Sequence, residues 1–376
     1  MGPKYEFTDE TMNYEGHTLH RIRRIEDSFL GGWIESEANL SQEGNCWVNS
    51  EAKVYDGAQI RGNATVRNDA IVSDEAKVED DADVSDDARV CGNAIVCGKA
   101  CVYDYAKISG SAKVSGKAKI YNNAEVSGNS EVWGNNIIRD NAKVYDKANI
   151  YGHAWVYGNA QVYGNAEVYN NAKVYNNAEV YGDAKISLSA HVFNDAQVYD
   201  KASVSATVCG NAKVYNNAKV SGEAQVSGDA KAYGNAAICQ HAYIYDSAQV
   251  YDYAIVSDNI WVFGNAQVYG QAKINQYARV YGNAKVYEKA EVHGNARICG
   301  NAEIYGDAYI TGEAQVYGNA QVYDSTKVYG EAEVYDEAEV YGSAKIHDNA
   351  KVHGNARIAN AEVYGDDDIT SLKWPV

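Results

Sequence analysis

The chain has 376 residues and a formal net charge of −18 at pH 7, with 32 tyrosines, four phenylalanines and two prolines. Nonspecific binding to nucleic acid or to an anionic membrane needs fields of Lys and Arg, so this composition argues against both. A basic protein partner, or mimicry of a polyanion, is compatible with the charge. The sequence shows no apolar run typical of a signal peptide or membrane span, and its seven cysteines lack metal-ligand spacing. These features favour a reducing, cytoplasmic location.

Residues 1–47 do not follow the pattern of the rest of the chain and are expected to form a small β cap with a lead-in segment. Residues 18–25 alternate between polar and apolar side chains, which is typical of a strand. Residues 4–8 are expected to pair with them across the turn Tyr14-Glu15-Gly16. Such a cap protects the unpaired edge that a stack of strands leaves at its end.

From Val48 to Val363 the sequence repeats every six residues in the order aliphatic, aromatic, Gly or Asp, Asn, Ala, polar, as residues 156–167 show. In the run Ala-x-Val-Tyr the side chains alternate, so a strand directs Ala and Val to one side and the polar residue and Tyr to the other. Gly and Asn tolerate positive φ and are expected at the corners. An α-helix is excluded because successive Val residues would spiral around it.

The unit resembles the hexapeptide repeat of left-handed parallel β-helix proteins, with Tyr in a slot that is usually small or acidic. The resemblance implies an all-β fold, a single-stranded left-handed parallel β-helix of about 18 triangular coils with three hexads in each coil. A four-residue step near 205–207 removes two corner residues. Residues 364–376 leave the repeat and are expected to form a C-terminal cap, in which Ile369, Leu372 and Trp374 cover the open end.

Residues one coil apart form columns on the three faces of such a helix, and we call the faces of Val48, Val54 and Ile60 the first, second and third. The second face is predicted to carry a column of outward tyrosines on twelve successive coils: Tyr145, Tyr163, Tyr181, Tyr199, Tyr215, Tyr233, Tyr251, Tyr269, Tyr287, Tyr305, Tyr323 and Tyr341. Two interpretations are open. The stacked rings either stiffen the fold or form an interaction face, for example for self-association.

Two further aromatic patches are predicted on the first face, where large aromatic side chains replace polar ones on adjacent coils. Their outward members are Tyr243, Tyr245, Trp261 and Phe263 in one patch, and Ile137, Trp155 and Tyr157 in the other. Trp is enriched among the residues that dominate protein interfaces. Each patch is therefore either a contact for a partner or subunit, or local surface packing.

The sequence departs from the repeat pattern at an acidic stretch and at one inward asparagine, and each departure leads to a prediction. The stretch from Asp74 to Asp87 is strongly acidic, but its carboxylates fall on different faces and corners. It is expected to be solvated or to face a partner, because a divalent cation needs carboxylates that converge. Asn136 occupies a slot in which Ala otherwise points inwards, so it is expected to find a hydrogen-bond partner.

Many hexapeptide-repeat proteins are acyltransferases, in which a catalytic His and a loop protruding from the coils form a site between the subunits of a trimer. Between Val48 and Val363 the repeat contains two deletions and no insertion, so no such loop is expected. The histidines of the repeat are scattered, and none has another His one coil away in the same slot. The sequence therefore predicts no catalytic, cofactor-binding or metal-ligating residue and leans against an enzyme.

A second resemblance lies at the junction with the repeat. Gly31-Gly32-Trp33-Ile34 and residues 39–48 are similar to the lead-in of the bacterial YdcK-like family, whose members carry a transferase label because of their repeats. Residues 4–11 resemble the start of similar proteins of bacteria and their prophages. The resemblance implies a location in the cytoplasm of a bacterial cell or of a phage-infected host, and it transfers no catalytic residue.

The function expected from these observations is that of a non-enzymatic β-helical scaffold that binds a protein partner or itself, as a dimer or trimer, through its outer aromatic columns. The candidate contact residues are Trp155, Tyr157, Tyr243, Tyr245, Trp261, Phe263, Tyr251, Tyr269, Tyr287 and Tyr305. Two alternatives stay open: a trimeric acyl-CoA-dependent acyltransferase, and a phage-encoded acidic inhibitor or polyanion mimic that acts on a host defence protein. No cofactor, membrane contact or direct nucleic-acid contact is expected.

Overall fold

A computed structural model describes residues 2–371, and the chain divides after Ser189 into two compact units. In each unit the hexads form short strands that pair in parallel into three sheets, as Lys53 with Ile71 and Val54 with Val72 illustrate. Equivalent residues in successive coils are 18 positions apart. The predicted all-β parallel β-helix is therefore confirmed, while its left hand stays an expectation from the resemblance. Within the described residues, no helix has the length and apolar character needed to cross a bilayer.

Unit 1 opens with three longer strands, β1 (Tyr5–Tyr14), β2 (His17–Arg24) and β3 (Leu30–Ile34), and a 3-10 helix at Glu37–Asn39. Two-residue strands then start every six residues from Trp47–Val48 to Lys185–Ile186. Four of these strands continue into the corner and are four residues long: Lys113–Gly116, Glu131–Gly134, Asn149–Gly152 and Glu167–Asn170.

Unit 2 begins with the strands His191–Val192, Gln197–Val198 and Ser203–Val204. After the four-residue step, strands start every six residues from Thr207–Val208 to Arg357–Ala359. One strand of this series, Glu339–Tyr341, has three residues. Two more strands follow the series, Glu362–Val363 and Asp368–Ile369. The short step preserves the register, because Tyr199 stacks on Tyr215 with ring centroids 4.9 Å apart and planes 2° apart.

The N-terminal cap is the expected antiparallel hairpin. β1 pairs with β2 around the turn at Glu15 and Gly16, and β2 pairs antiparallel with β3. β3 in turn pairs in parallel with Lys53–Val54, so the hairpin continues the second-face sheet at its edge. Parallel pairing thus starts at Trp33, upstream of the predicted start of the repeat.

The C-terminal segment also contains solenoid pairing. The strand Asp368–Ile369 pairs in parallel with Lys351–Val352 and continues the first face. Ile369, which we expected in a cap, therefore lies in a coil strand. Leu372 and Trp374 lie outside the described residues.

The interior is built from the Ala and the Val or Ile of the hexads, which are almost all fully buried. Asn136 is the inward exception that the sequence singled out, and it is also fully buried. Its Nδ2 donates to the carbonyl oxygens of Trp133 and Ile150 at 2.9 and 3.0 Å, and its Oδ1 accepts the Ala154 N–H at 2.9 Å. The expected hydrogen-bond partners are therefore confirmed.

The corners explain part of the acidic composition. The first corner residue has positive φ, for example 72° at Gly158 and 56° at Asp200, which Gly, Asn and Asp tolerate best. An Asp in this slot also accepts the backbone N–H of the residue one coil later, as Asp140 does from Gly158 at 3.1 Å. Many corner carboxylates thus stabilise the stack of coils.

Candidate interaction surface

An aromatic cluster lies on the first face of unit 2, where strand alternation turns the polar slot and the Tyr slot outwards. Trp261 lies between Tyr243 and Tyr245, with edge-to-face contacts at centroid distances of 6.3 and 6.5 Å. Phe263 stacks on Tyr245 at 4.9 Å and on Tyr281 at 4.8 Å. We call these five residues the aromatic surface. It contains all four residues of the first predicted patch and adds Tyr281.

The members of the aromatic surface differ in exposure. Trp261 and Tyr243 are 42% and 39% exposed. Tyr245, Phe263 and Tyr281 are half-buried and support them from one side. Trp261 and Tyr243 are therefore the side chains that another molecule reaches first.

Three residues that the sequence interpretation missed extend this surface. Arg279 follows Trp261 in the same column, and its guanidinium lies 5.2 Å from the centre of the Trp261 ring. Arg297 is the next residue in the column, and Tyr277 is 60% exposed at the adjacent corner. Counting 18 residues onward from Trp261, and again from Arg279, would have found both arginines.

These side chains border a groove of about 460 Å³. Its lining residues are Asn259, Trp261, Tyr277, Arg279, Asn295, Arg297, Glu313 and Gln315. Among residues 2–371, neither arginine lies within 4.0 Å of a carboxylate oxygen, whereas other arginines, such as Arg357 with Glu339, form ion pairs. The groove therefore combines exposed aromatic rings with two cations that are available to a ligand.

A larger groove, of about 850 Å³, lies on the third face of unit 2. Tyr253 and Ile255 are exposed along it, at 64% and 41%. Lys273 forms an ion pair with Glu291, the next residue in the same column, with Nζ and Oε1 2.8 Å apart. Part of the charge of this groove is thus already neutralised within the chain.

The second predicted patch lies on the first face of unit 1. Trp155 is 37% exposed and contacts Tyr157 edge to face at 6.5 Å. Lys173 lies over the Trp155 ring at 5.5 Å, and Arg139 over the Tyr157 ring at 4.6 Å. Arg139 also pairs with Asp140 at 3.1 Å, so this patch has fewer free cations than the groove beside Trp261.

The tyrosine column is present in both units. Unit 1 carries Tyr145, Tyr163 and Tyr181, and unit 2 carries Tyr199, Tyr215, Tyr233, Tyr251, Tyr269, Tyr287, Tyr305, Tyr323 and Tyr341. Neighbouring rings are stacked, as Tyr251 and Tyr269 are at 4.8 Å and 2°.

The tyrosines of the column are half-buried, and several of their hydroxyls are hydrogen-bonded to side chains of the next coil. The Tyr251 hydroxyl donates to Gln267 at 3.2 Å, and the Tyr287 hydroxyl donates to Glu303 at 3.2 Å. Burial, with smaller contributions from neighbouring phenols and carboxylates, raises the pKa of Tyr251 and of Tyr305 to about 12. This packing favours the stiffening role of the column, including its candidate contact residues Tyr251, Tyr269, Tyr287 and Tyr305.

The acidic stretch lies on separate corners and strands of unit 1. Asp74 and Asp80 accept backbone N–H groups one coil later at 2.6 and 2.9 Å. Asp83 forms an ion pair with Arg67 at 2.8 Å. These three carboxylates are thus engaged within the fold.

One group of side chains has the composition of a metal site. His17, Glu35 and Asp56 place one possible ligand atom each within 4.8 Å of one another. His17 already uses both ring nitrogens, Nδ1 with Glu35 at 2.9 Å and Nε2 with Asp56 at 3.6 Å. The group is therefore best described as an ion-pair cluster that holds the tip of the hairpin on the first coil.

The comparisons with known proteins concern the repeat. Residues 314–330 in unit 2 match a family model described as the YdcK beta solenoid repeat. The matched segment includes the strands Gln315–Val316, Gln321–Val322 and Lys327–Val328, one from each face. A search of curated proteins found no match. By its fold and this matched segment, the chain is similar to the YdcK-like β-solenoid repeat proteins.

Proposed function

We propose that this β-solenoid scaffold is an interaction protein that binds a protein partner through the aromatic surface of unit 2. The observation that carries the proposal is the exposure of Trp261 and Tyr243 in a column whose other outward residues in unit 2 are polar. Exposed Trp and Tyr supply large contact areas with little loss of conformational entropy.

The packing around Trp261 supports the same proposal. Edge-to-face contacts with Tyr245 and Tyr243 hold the indole in place, so its rotamer is set before a partner arrives. A preorganised contact loses less entropy on binding. The patch at Trp155 has the same composition on a smaller scale and serves as an additional contact in this proposal.

The test is a quantitative pull-down from the cell of origin with three tagged proteins. Trp261→Ala/Tyr243→Ala removes the exposed part of the aromatic surface, and Tyr105→Ala/Tyr253→Ala removes two exposed tyrosines elsewhere as a matched control. The proposal expects a partner that wild type and control recover equally and that the first variant recovers at least about tenfold less. Equal recovery by all three proteins would contradict it.

A further inference from the structure

We infer that Arg279 and Arg297 bind a carboxylate of an acidic protein segment while Trp261 and Tyr277 receive an apolar side chain of the same segment. The inference deepens the proposed function and rests on it, because it specifies the chemistry of the partner. The observation behind it is a cation pair that forms no ion pair with a carboxylate of the described residues and lies beside exposed aromatic residues of the first face.

The two arginines are placed to act together. They are directly paired on adjacent parallel strands, so their side chains leave the sheet about 4.8 Å apart. Trp261 holds the Arg279 guanidinium by a cation–π contact at 5.2 Å, which limits its rotamers. Arg guanidinium groups offer planar, forked donors that match a carboxylate. Without an anion, the two like charges repel each other at this distance, so binding one relieves that repulsion.

The side chains along the groove change in character from one coil to the next. The column runs from Tyr243 and Trp261 to the two arginines and then to Gln315, with Glu313 at the adjacent corner. A segment that lies along this column first contacts aromatic side chains, then the two arginines, and then the carboxylate of Glu313. The complementary order in the partner is apolar, acidic, basic.

The charge of the whole chain decides between protein carboxylates and other anions. At a net charge of −18 the long-range field repels polyanions such as nucleic acid and anionic bilayers. The arginine pair acts only at short range, since exposed charges are screened beyond about 10 Å at moderate salt. A short segment whose acidic residues lie between an apolar and a basic residue fits this combination of a local attraction and a distant repulsion.

The test uses two labelled heptapeptides in fluorescence anisotropy at about 0.1 M salt, where the net charge of the chain is screened beyond about 10 Å. One carries tryptophan, two glutamates and a lysine in that order with single glycines between them, and its twin carries lysines for the glutamates and a glutamate for the lysine. We expect the acidic peptide to bind the full chain at least about tenfold more tightly than the twin. Arg279→Gln/Arg297→Gln is expected to abolish this preference, and Arg279→Glu/Arg297→Glu to reverse it.

Gln is a suitable replacement because Gln225 and Gln315 occupy the same column. The matched control is Lys213→Gln/Lys231→Gln, which removes two neighbouring cations from the second face and should leave the preference intact. Equal binding of both peptides by wild type, or the same loss in both Gln variants, would overturn the inference. Displacement of the acidic peptide by inorganic phosphate more strongly than by chloride of the same ionic strength would also overturn it, because the site would then be a general anion site.

The two proposals fail in different ways. If Trp261→Ala/Tyr243→Ala loses the cellular partner while the arginine variants bind it normally, the aromatic surface stands and the inference about the arginines falls. If none of these variants affects partner recovery, both fall together.

Discussion

Inside the solenoid, a polar side chain in the Ala slot is accommodated where the backbone supplies its hydrogen bonds. Ser130 and Thr326 donate to the carbonyl oxygen three residues earlier, at 2.8 and 2.7 Å. Asn136 instead bridges three backbone groups on two coils. Its amide therefore connects neighbouring coils. The Thr326 hydroxyl also reaches the Val340 carbonyl oxygen of the next coil at 3.4 Å, whereas the Ser130 hydroxyl donates within its own coil.

This difference gives a prediction for the inward slot. Asn136→Ala leaves the Ala154 N–H and two carbonyl oxygens without this partner, so we expect a loss of about 2 kcal/mol or more. Ser130→Ala is the control, because the Ser127 carbonyl keeps the Ser130 N–H as a donor at 3.4 Å, and its effect should be small. Thermal unfolding and amide hydrogen exchange around residues 133–154 measure both, and equal effects would contradict the assigned role.

The sequence alone predicted that Asn136 points inwards and is hydrogen-bonded, because the hexad assigns each slot a direction. It did not predict which groups Asn136 bonds. Those partners depend on the corner at Gly134, where φ is 113° instead of about 70° as at most corner glycines. A periodic pattern predicts the direction of each side chain, but it does not predict a local change of backbone conformation such as that at Gly134.

At the scale of elements, the tyrosine column is a continuous packing layer within each unit. Each ring contacts its neighbours one coil away, and several hydroxyls donate to the Gln or Glu of the next coil. Because the neutral phenol is the form that packs and donates, ionisation of the column opposes the fold.

The column predicts a loss of stability at alkaline pH. Burial raises the folded-state pKa of Tyr251 and Tyr305 from 10.0 to about 12, so unfolding releases protons between these values. The contribution of these phenols is complete below pH 10 and is lost as the pH rises through 12. We expect the melting temperature to fall over this range, and less steeply in Tyr251→Phe/Tyr305→Phe. Spectrophotometric titration shows the pH range in which tyrosinate forms. Identical slopes of melting temperature against pH in wild type and variant over that range would contradict the assignment.

The hairpin is a second element with its own attachment. His17 at its tip lies between Glu35 and Asp56, and the hydrogen bond to Glu35, with smaller effects of the nearby carboxylates, raises the pKa of His17 above 6.5. The protonated ring is therefore favoured in the attached state. This contribution is complete below pH 6.5 and is lost as the pH rises through the folded-state pKa.

We accordingly expect the hairpin strands Tyr5–Tyr14 and His17–Arg24 to open more readily at pH 8 than at pH 6. Amide hydrogen exchange, corrected for intrinsic rates, measures this opening. His17→Gln is the control, and its hairpin should open to the same extent at both pH values. A pH dependence that persists in His17→Gln would show that another group is responsible.

For the whole molecule, the repeat predicted the fold far better than the details of the aromatic surface. A buried slot and an outward slot follow from two-residue alternation, so the three sheets and the tyrosine column could be derived. Exposure could not, because Tyr245 and Trp261 both point outwards, yet Tyr245 is half-buried and Trp261 is exposed. The arginines were missed because charged residues are normal in that slot. Their significance comes from the lack of a carboxylate partner within the part of the chain that the structure describes.

The contacts of the carboxylates explain part of the negative net charge. Corner aspartates accept backbone N–H groups, and strand carboxylates accept tyrosine hydroxyls or pair with lysines, as Glu303 does with Lys285 at 2.9 Å. Much of the acidity thus supports the solenoid itself. The basic groove beside Trp261 is a local exception to the average charge.

The most direct test of a partner site at the aromatic surface is photocrosslinking in the cell of origin. The photoreactive residue p-benzoylphenylalanine replaces Tyr277, which is exposed beside Trp261, or Tyr105, which is similarly exposed in unit 1. We predict one dominant protein adduct from position 277 that is weak or absent from position 105 and is lost when Trp261→Ala is added. The same adducts from both positions, or an adduct from position 277 that survives Trp261→Ala, would contradict the account.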